Sequence, residues 1–235
     1  MRTLCIAILL AASACATTPT AVSPEPERLL ADMKAACGGP AWDQVKSWHE
    51  RSTAEISGMP LLENEVWHDM HSLKSSMISK AGGRIMRATG FNGAVTWLQG
   101  PDGQIRASNE PARLRQQRRD AYLSSFGWFF PDRFPAAFAM RGKAENAGLE
   151  YLVLNIEPRD ADSFDLWIDP KSRLVRRIVA GEEYAELSDY RTYGGVCTAT
   201  TGRQGGGAGA PQMVLRVLDV RTDEAAPASV FDPPK

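Results

Sequence analysis

The chain has 235 residues, 43% of them hydrophobic and 23% charged, with a formal net charge of -1. No basic or acidic tail stands out, so the composition excludes a nucleic-acid-binding chain driven by bulk charge. The length is sufficient for one large core or two small ones.

At the amino terminus Arg2 precedes an apolar run over residues 4–12 and then small residues, the form of a secretory signal over 1–14. That run is too short to cross a bilayer as a mature anchor. Ala12-Ser13-Ala14-Cys15 resembles the lipobox of bacterial lipoproteins, with Ala12 where a Leu is usual. On that reading Cys15 is acylated and becomes the first residue; the alternative is ordinary cleavage before an incidental Cys15. Ala16 after the Cys resembles lipoproteins sent to the outer membrane. Residues 15–27 are small, Pro-rich and polar, which suits a flexible tether, and 28–235 form the expected folded domain. With Cys5 lost in the signal and Cys15 lipidated, Cys37 and Cys197 remain as a pair in an oxidising compartment, either bridged or as two buried thiols. A bridge closing so long a loop contributes roughly 4 to 5 kcal/mol in the chain-entropy model.

Leu29, Leu30, Met33, Ala36 and Cys37 recur at helical spacing and Gly38-Gly39-Pro40 stops the helix. A short helical piece follows near 42–45. From Trp48 the period changes to two: Trp48, Glu50, Ser52, Ala54 and Ile56 alternate with His49, Arg51, Thr53 and Glu55. Strands are expected over 61–71, 73–80, 84–91 and 94–98, separated by Gly82-Gly83 and Asn92-Gly93, with a brief one at 104–107. Such short turns require antiparallel neighbours. Asn109-Glu110-Pro111 then opens a helix to about residue 126, with Asn109 as a cap. It carries Arg113, Arg115, Arg118 and Arg119, read as a solvated face with stems on apolar neighbours or as a contact for lipid head groups or an acidic partner.

Phe126, Trp128, Phe129, Phe130, Phe134 and Phe138 fall within thirteen residues, interrupted by Gly127, Pro131 and Pro135. The prolines argue for a broken segment folded over an apolar surface. The rings are either core or the wall of a hydrophobic cavity that a half-closed sheet leaves open. Three apolar runs over 149–156, 164–169 and 174–179 form a strand meander around the turn Asp169-Pro170-Lys171-Ser172. Strands at 186–192 and 196–201, a Gly-rich loop at 202–210 and a last strand at 211–221 complete the chain. That loop has neither the preceding βαβ strand nor the following Lys of a phosphate loop.

His68-Asp69-Met70-His71 has a metal-like spacing only on a helix; on a strand His68 shares a face with Val66 and Met70 while His71 points away. With His49 the only other histidine, no metal site is expected. No G-x-S-x-G elbow is present, which leaves a hydrolase only as a Ser, His and acid converging from distant strands. No cofactor is expected.

Several short motifs together resemble the LolA/LolB-like superfamily of outer-membrane lipoprotein-sorting and carrier proteins. They are Gly90-Phe91-Asn92-Gly93 with Val95-Thr96-Trp97, Phe164-Asp165-Leu166-Trp167-Ile168-Asp169 with Leu174-Val175-Arg176-Arg177, Ser188-Asp189-Tyr190-Arg191 with Gly194-Gly195-Val196, and Val230-Phe231-Asp232-Pro233. Cys197 stands where similar chains often place Pro. The resemblance implies an α+β fold, a single curved antiparallel sheet forming a half-barrel with helices over its concave face. It also implies a non-enzymatic envelope protein that binds acyl chains or lipoproteins; the aromatic cluster of this chain then supplies the expected ligand-binding residues, Trp128, Phe129, Phe130, Phe134 and Phe138. The expected location is the periplasm, with Cys15 anchoring the protein to the outer membrane. A structural lipoprotein holding an envelope protein partner is the alternative.

Overall fold

Period-two alternation becomes strand along almost the whole chain. The computed structural model describes residues 25–207, 212–227 and 229–234, so the signal, Cys15 and most of the tether lie outside the described residues. Helix α1 (Pro26–Ala36) and a 3-10 turn (Gly39–Gln44) precede β1 (Ser47–Ile56), β2 (Leu62–Asp69), β3 (Ser75–Ala81), β4 (Arg84–Phe91), β5 (Thr96–Gln99) and β6 (Ile105–Ser108). After α2 (Pro111–Ser124) and a 3-10 turn (Gly127–Phe129) come β7 (Ala136–Asn146), β8 (Leu149–Pro158), β9 (Phe164–Ile168), β10 (Val175–Ala180), β11 (Glu183–Tyr193), β12 (Val196–Gly205) and β13 (Met213–Arg221).

All thirteen strands form one sheet in the order β6-β5-β4-β3-β2-β1-β13-β12-β11-β10-β9-β8-β7. Every neighbour pair is antiparallel, and only β1 with β13 joins strands distant in sequence. The chain therefore starts in the middle of the sheet and walks out to β6. There α2 carries it to the opposite edge, β7, from which it walks back to meet β1. The sheet is not closed, and this is the α+β half-barrel expected from the sequence.

Local chemistry sets the turns. Asn92 Oδ1 accepts from the backbone N–H of Ala94 (3.1 Å) and Val95 (3.0 Å), and Asp169 Oδ1 accepts from Lys171 (2.8 Å) and Ser172 (3.2 Å). Both are side-chain mimics of a backbone turn. The core lies between the inner face of the sheet and α1 with its following turn. Trp42 is its hub, with ring centroids 4.6 Å from Phe126, 5.3 Å from Phe129 and 6.2 Å from Trp48. Its indole N–H donates to the Cys37 carbonyl at 2.8 Å. Beside it a Cys37–Cys197 disulfide ties the end of α1 to the start of β12, across 160 positions of sequence.

Three sequence expectations change. Asn109 does not cap α2: Glu110 holds that position and makes no side-chain cap bond, while the Glu110 N–H donates to Ser108 Oγ at 3.2 Å. Residues after Pro135 are an eleven-residue edge strand, β7, which Pro131, Pro135 and the flanking rings mask in the sequence. The Gly-rich stretch is strand as far as Gly205, and 208–210 lie outside the described residues. Gly205 fits there because a Cβ would stand 2.6 Å from the Tyr184 hydroxyl.

Candidate functional site

The carboxyl-terminal half of α2 presents Asp120, Leu123 and Ser124 at spacings of three and four, which places them on one side of the helix. Three hollows meet along that side. An apolar cleft of about 140 Å³ is lined by Met33, Leu123, Phe126, Trp128, Phe129 and Leu187, among others. A larger hollow of about 790 Å³ lies between α2, strands β10 to β13 and residues Ile56 and Arg87 of β1 and β4, and includes Leu123, Ile178, Leu187 and Met213 with Arg119, Asp120 and Glu183. The two share Leu123, Ile178 and Leu187 as common walls. A third chamber, about 330 Å³, contains Trp48, Glu50, His68, Gln117, Asp120 and Ser124. It shares Phe126 and Thr198 with the cleft, and Asp120 and Ser124 with the large hollow.

The backbone where they meet is unusual. Phe126 has φ 49°, a left-handed conformation that costs a non-Gly residue on the order of 1 kcal/mol or more. Gly127 follows because a Cβ there would stand 2.6 Å from the Tyr122 ring. The strained turn swings the Phe126 ring over Trp42 and Trp48, at 4.6 and 5.4 Å, and leaves it facing the cleft.

The polar lining differs from residue to residue. Glu50 has the Trp48 indole N–H at 3.3 Å, and burial lifts its carboxyl above the ordinary value against the pull of that donor. Burial pushes the His68 imidazole down to about 4, so it is neutral at physiological pH, and its Nδ1 has no hydrogen-bond partner among the described residues. Burial also raises Asp120, against the pull of Arg119, whose guanidinium lies 2.8 Å away. Arg119 is itself buried and also pairs with Glu183 at 3.8 Å, so it departs from the solvated face that Arg113 and Arg115 occupy. Glu50, His68 and Asp120 share a chamber, yet no three His, Cys, Asp or Glu side chains among the described residues could hold a metal ion. His68 lines the chamber with Ser75 and Ser76, and its Nδ1 bonds to neither of them among the described residues.

The structure divides the expected ligand-binding rings. Trp128 and Phe129 line the cleft. Phe130 packs edge-on to Phe134 at 6.5 Å and lies under the Arg133 guanidinium, 4.6 Å from its ring centre. Phe134 borders a separate depression with Leu73, Tyr122 and Arg159. Phe138 stands on β7, partly buried against the core. Phe126 belonged to the aromatic cluster of the sequence but not to the expected ligand-binding residues, and Glu50, Asp120, Leu123, Ile178 and Leu187 were not singled out by sequence reasoning. Glu50 alone left a signal, as an acid on the buried face of an alternating strand. His49 lies on the opposite face of β1, stacked on Trp67 at 3.8 Å, with Nδ1 2.6 Å from Glu224 and Nε2 3.2 Å from Glu65. No helix among the described residues is long and apolar enough to cross a membrane.

No family model matches the sequence, and no curated protein matches it. Solved structures do. A LolA superfamily protein from Nitrosomonas europaea superposes with a TM-score of 0.56 at 12% identity, covering 84% of this chain and 98% of that one. The fold is that of the LolA superfamily. A DUF1329 family protein from Desulfovibrio piger ATCC 29098 shares the LolA-like architecture, with a TM-score of 0.59 at 11% identity over 88% of this chain and 97% of its own. So does a domain from Vibrio parahaemolyticus named for outer membrane lipoprotein sorting, with a TM-score of 0.56 at 10% identity over 87% and 95%. At these identities the likeness is one of LolA-like fold, and the hollows must be read from this chain's own residues.

Proposed function

We propose that this protein is a non-enzymatic carrier or receptor of the cell envelope that takes an acyl chain into the space under α2. The chain would belong to a lipid or a lipoprotein. The observation that carries this is the apolar cleft that shares Leu123, Ile178 and Leu187 with the adjoining 790 Å³ hollow between helix and sheet. Specific small-molecule sites span about 300–1,000 Å³, so the hollow is of the right size, with Leu123, Ile178, Leu187 and Met213 as its apolar part and Arg87, Arg119, Asp120 and Glu183 as its charged part. Burial of acyl carbons stabilises a complex by about 0.8 kcal/mol per methylene. Eight buried methylenes therefore offer about 6 kcal/mol before the costs of association, without covalent chemistry.

In this reading Trp128 and Phe129 touch the chain directly, while Phe130, Phe134 and Phe138 support the wall behind them. Cys15 is the lipid anchor, the tether lets the half-barrel reach away from the membrane, and the compartment is the periplasmic side of the outer membrane. The oxidised Cys37–Cys197 pair supports an oxidising compartment.

The test is to purify the mature protein from its own envelope, without detergent exchange, and extract it with organic solvent. Stoichiometric acyl-bearing molecules in the extract, and native masses that fall by the same amount on delipidation, are expected. A ligand-free protein that also ignores fluorescent fatty acids would contradict the reading.

A further inference from the structure

The third chamber differs in kind from the two hollows it joins. The cleft and the hollow meet the chamber at Phe126, Ser124 and Asp120, and beyond those residues lie Glu50, His68 and Gln117. Among the described residues no Lys or Arg lines this chamber. Asp120 has a cation in Arg119 beside it, but Glu50 has neutral neighbours in place of one, the indole N–H of Trp48 and the hydroxyl of Ser52. A half-buried carboxyl without a countercharge carries an unmet electrostatic demand. The second unmet group is His68, nine-tenths buried, with Nδ1 unpartnered. Neutral imidazole always keeps one nitrogen as an acceptor. Ser76, Thr89 and Thr198 add hydroxyl oxygens.

Resting on the reading of the apolar cleft as an acyl site, we propose that this chamber receives the head of the same ligand, and that the head carries a protonated amine. An ammonium group has three donors and no acceptor, which matches a wall whose free capacity is to accept. It also supplies the positive charge that Glu50 lacks. A carboxylate or phosphate head, acceptor-only and anionic, would meet Glu50 with no Lys or Arg among the described residues that line the chamber. A glyceryl head would find hydrogen bonds but would leave Glu50 without its countercharge. The common edge at Phe126, Ser124 and Asp120 lets one amphiphile span both environments, chain toward Leu123 and Leu187, amine toward Glu50.

The experiment uses the full mature protein, delipidated, and three probes of one chain length below their micelle concentrations: dodecylamine, dodecanoate and 1-O-dodecylglycerol. Calorimetric titration at neutral pH should show dodecylamine binding at least tenfold more tightly than dodecanoate, with the glyceryl ether between them. Propylamine, which has the head without the chain, should bind at least a hundredfold more weakly than dodecylamine. In Glu50→Gln the amine-to-carboxylate ratio should collapse to threefold or less. The wild-type ranking stands as evidence even if that variant does not fold. Equal binding of all three dodecyl probes overturns the head assignment while leaving the acyl site intact. Preference for dodecanoate overturns it as well. If none of the dodecyl probes binds, both the acyl site and the head assignment fall.

Discussion

The indole N–H of Trp97 donates to the carbonyl of Phe231 at 2.8 Å, across 134 positions of sequence. Two of the motifs that give the chain its LolA/LolB resemblance, Gly90 to Trp97 and Val230 to Pro233, therefore meet in space. Asn92 Nδ2 reaches Asp232 Oδ1 at 3.1 Å beside them, and Gly90 lies opposite Trp97 on the neighbouring strand, where a Cβ would stand 2.4 Å from the indole. The tail is latched to β4 and β5 by a buried hydrogen bond and a glycine that makes room for the ring.

Trp97→Phe keeps most of the ring but leaves the Phe231 carbonyl without its donor, a loss of about 1–3 kcal/mol. Gly90→Ala should destabilise by a similar amount through overpacking, about 1–3 kcal/mol. Combined with Trp97→Leu, Gly90→Ala should cost much less than the sum of the single changes, because the clash needs both partners. Urea titrations of the four proteins check this; strict additivity would contradict it.

Reduction of Cys37–Cys197 should lower stability by roughly 4 to 5 kcal/mol in the chain-entropy model. Cys37→Ser with Cys197→Ser should match the reduced wild type and show no response to reductant. Thermal melts with and without dithiothreitol provide the readout. An unchanged wild-type melting temperature after verified reduction would show that the link adds nothing.

The acid limb of stability should report the polar chamber. His68 has its folded pKa pushed down to about 4 from 6.5. The unfolded chain therefore binds the extra proton between those values, and stability is lost as pH falls from 6.5 toward 4. At about 1.4 kcal/mol per unit the loss is on the order of 3 kcal/mol. Glu50 acts the other way. Its folded pKa is raised, so its contribution is fully present below the unfolded value of 4.5 and is lost as pH rises through the folded one. Denaturation from pH 4 to 7 should give a flatter profile for His68→Gln and a steeper one for Glu50→Gln. Identical slopes in all three proteins would place both groups in water.

Filling the hollow should block it. Leu123→Trp projects an indole into the space that Leu123, Ile178 and Leu187 share, and affinity for a fluorescent fatty acid should fall at least tenfold, about 1.4 kcal/mol. Leu218→Trp, on the exposed face of β13, is the control and should bind as wild type. Equal binding by both variants would move the ligand elsewhere.

The features that the sequence announces are those decided by local chemistry. Asn92 and Asp169 close their turns with their own side chains, α1 repeats its apolar residues at helical spacing, and Cys37 and Cys197 are what remains once Cys5 and Cys15 are assigned. Features decided by distant pairing are silent. Nothing near β1 says that β13 will lie beside it, and the prolines before β7 hide an edge strand whose partner, β8, follows it. The site is of the second kind, because its walls come from α1, α2, the 126–129 turn and strands on both sides of the sheet. The aromatic cluster drew attention to Trp128 and Phe129. It could not show that Phe130 and Phe134 turn instead toward Arg133, or that Glu50 and His68 face one chamber from adjacent strands.

The most direct measurement is photo-crosslinking of the delipidated protein with a diazirine-bearing fatty acid, followed by peptide mapping. Labels concentrated on Leu123, Phe126, Phe129, Ile178 and Leu187, and competed away by unlabelled fatty acid, are the expected result. Labels on the outer face around Trp67, Trp167 and Leu218, or labelling that excess fatty acid does not reduce, would show that the space under α2 is not where an acyl chain goes.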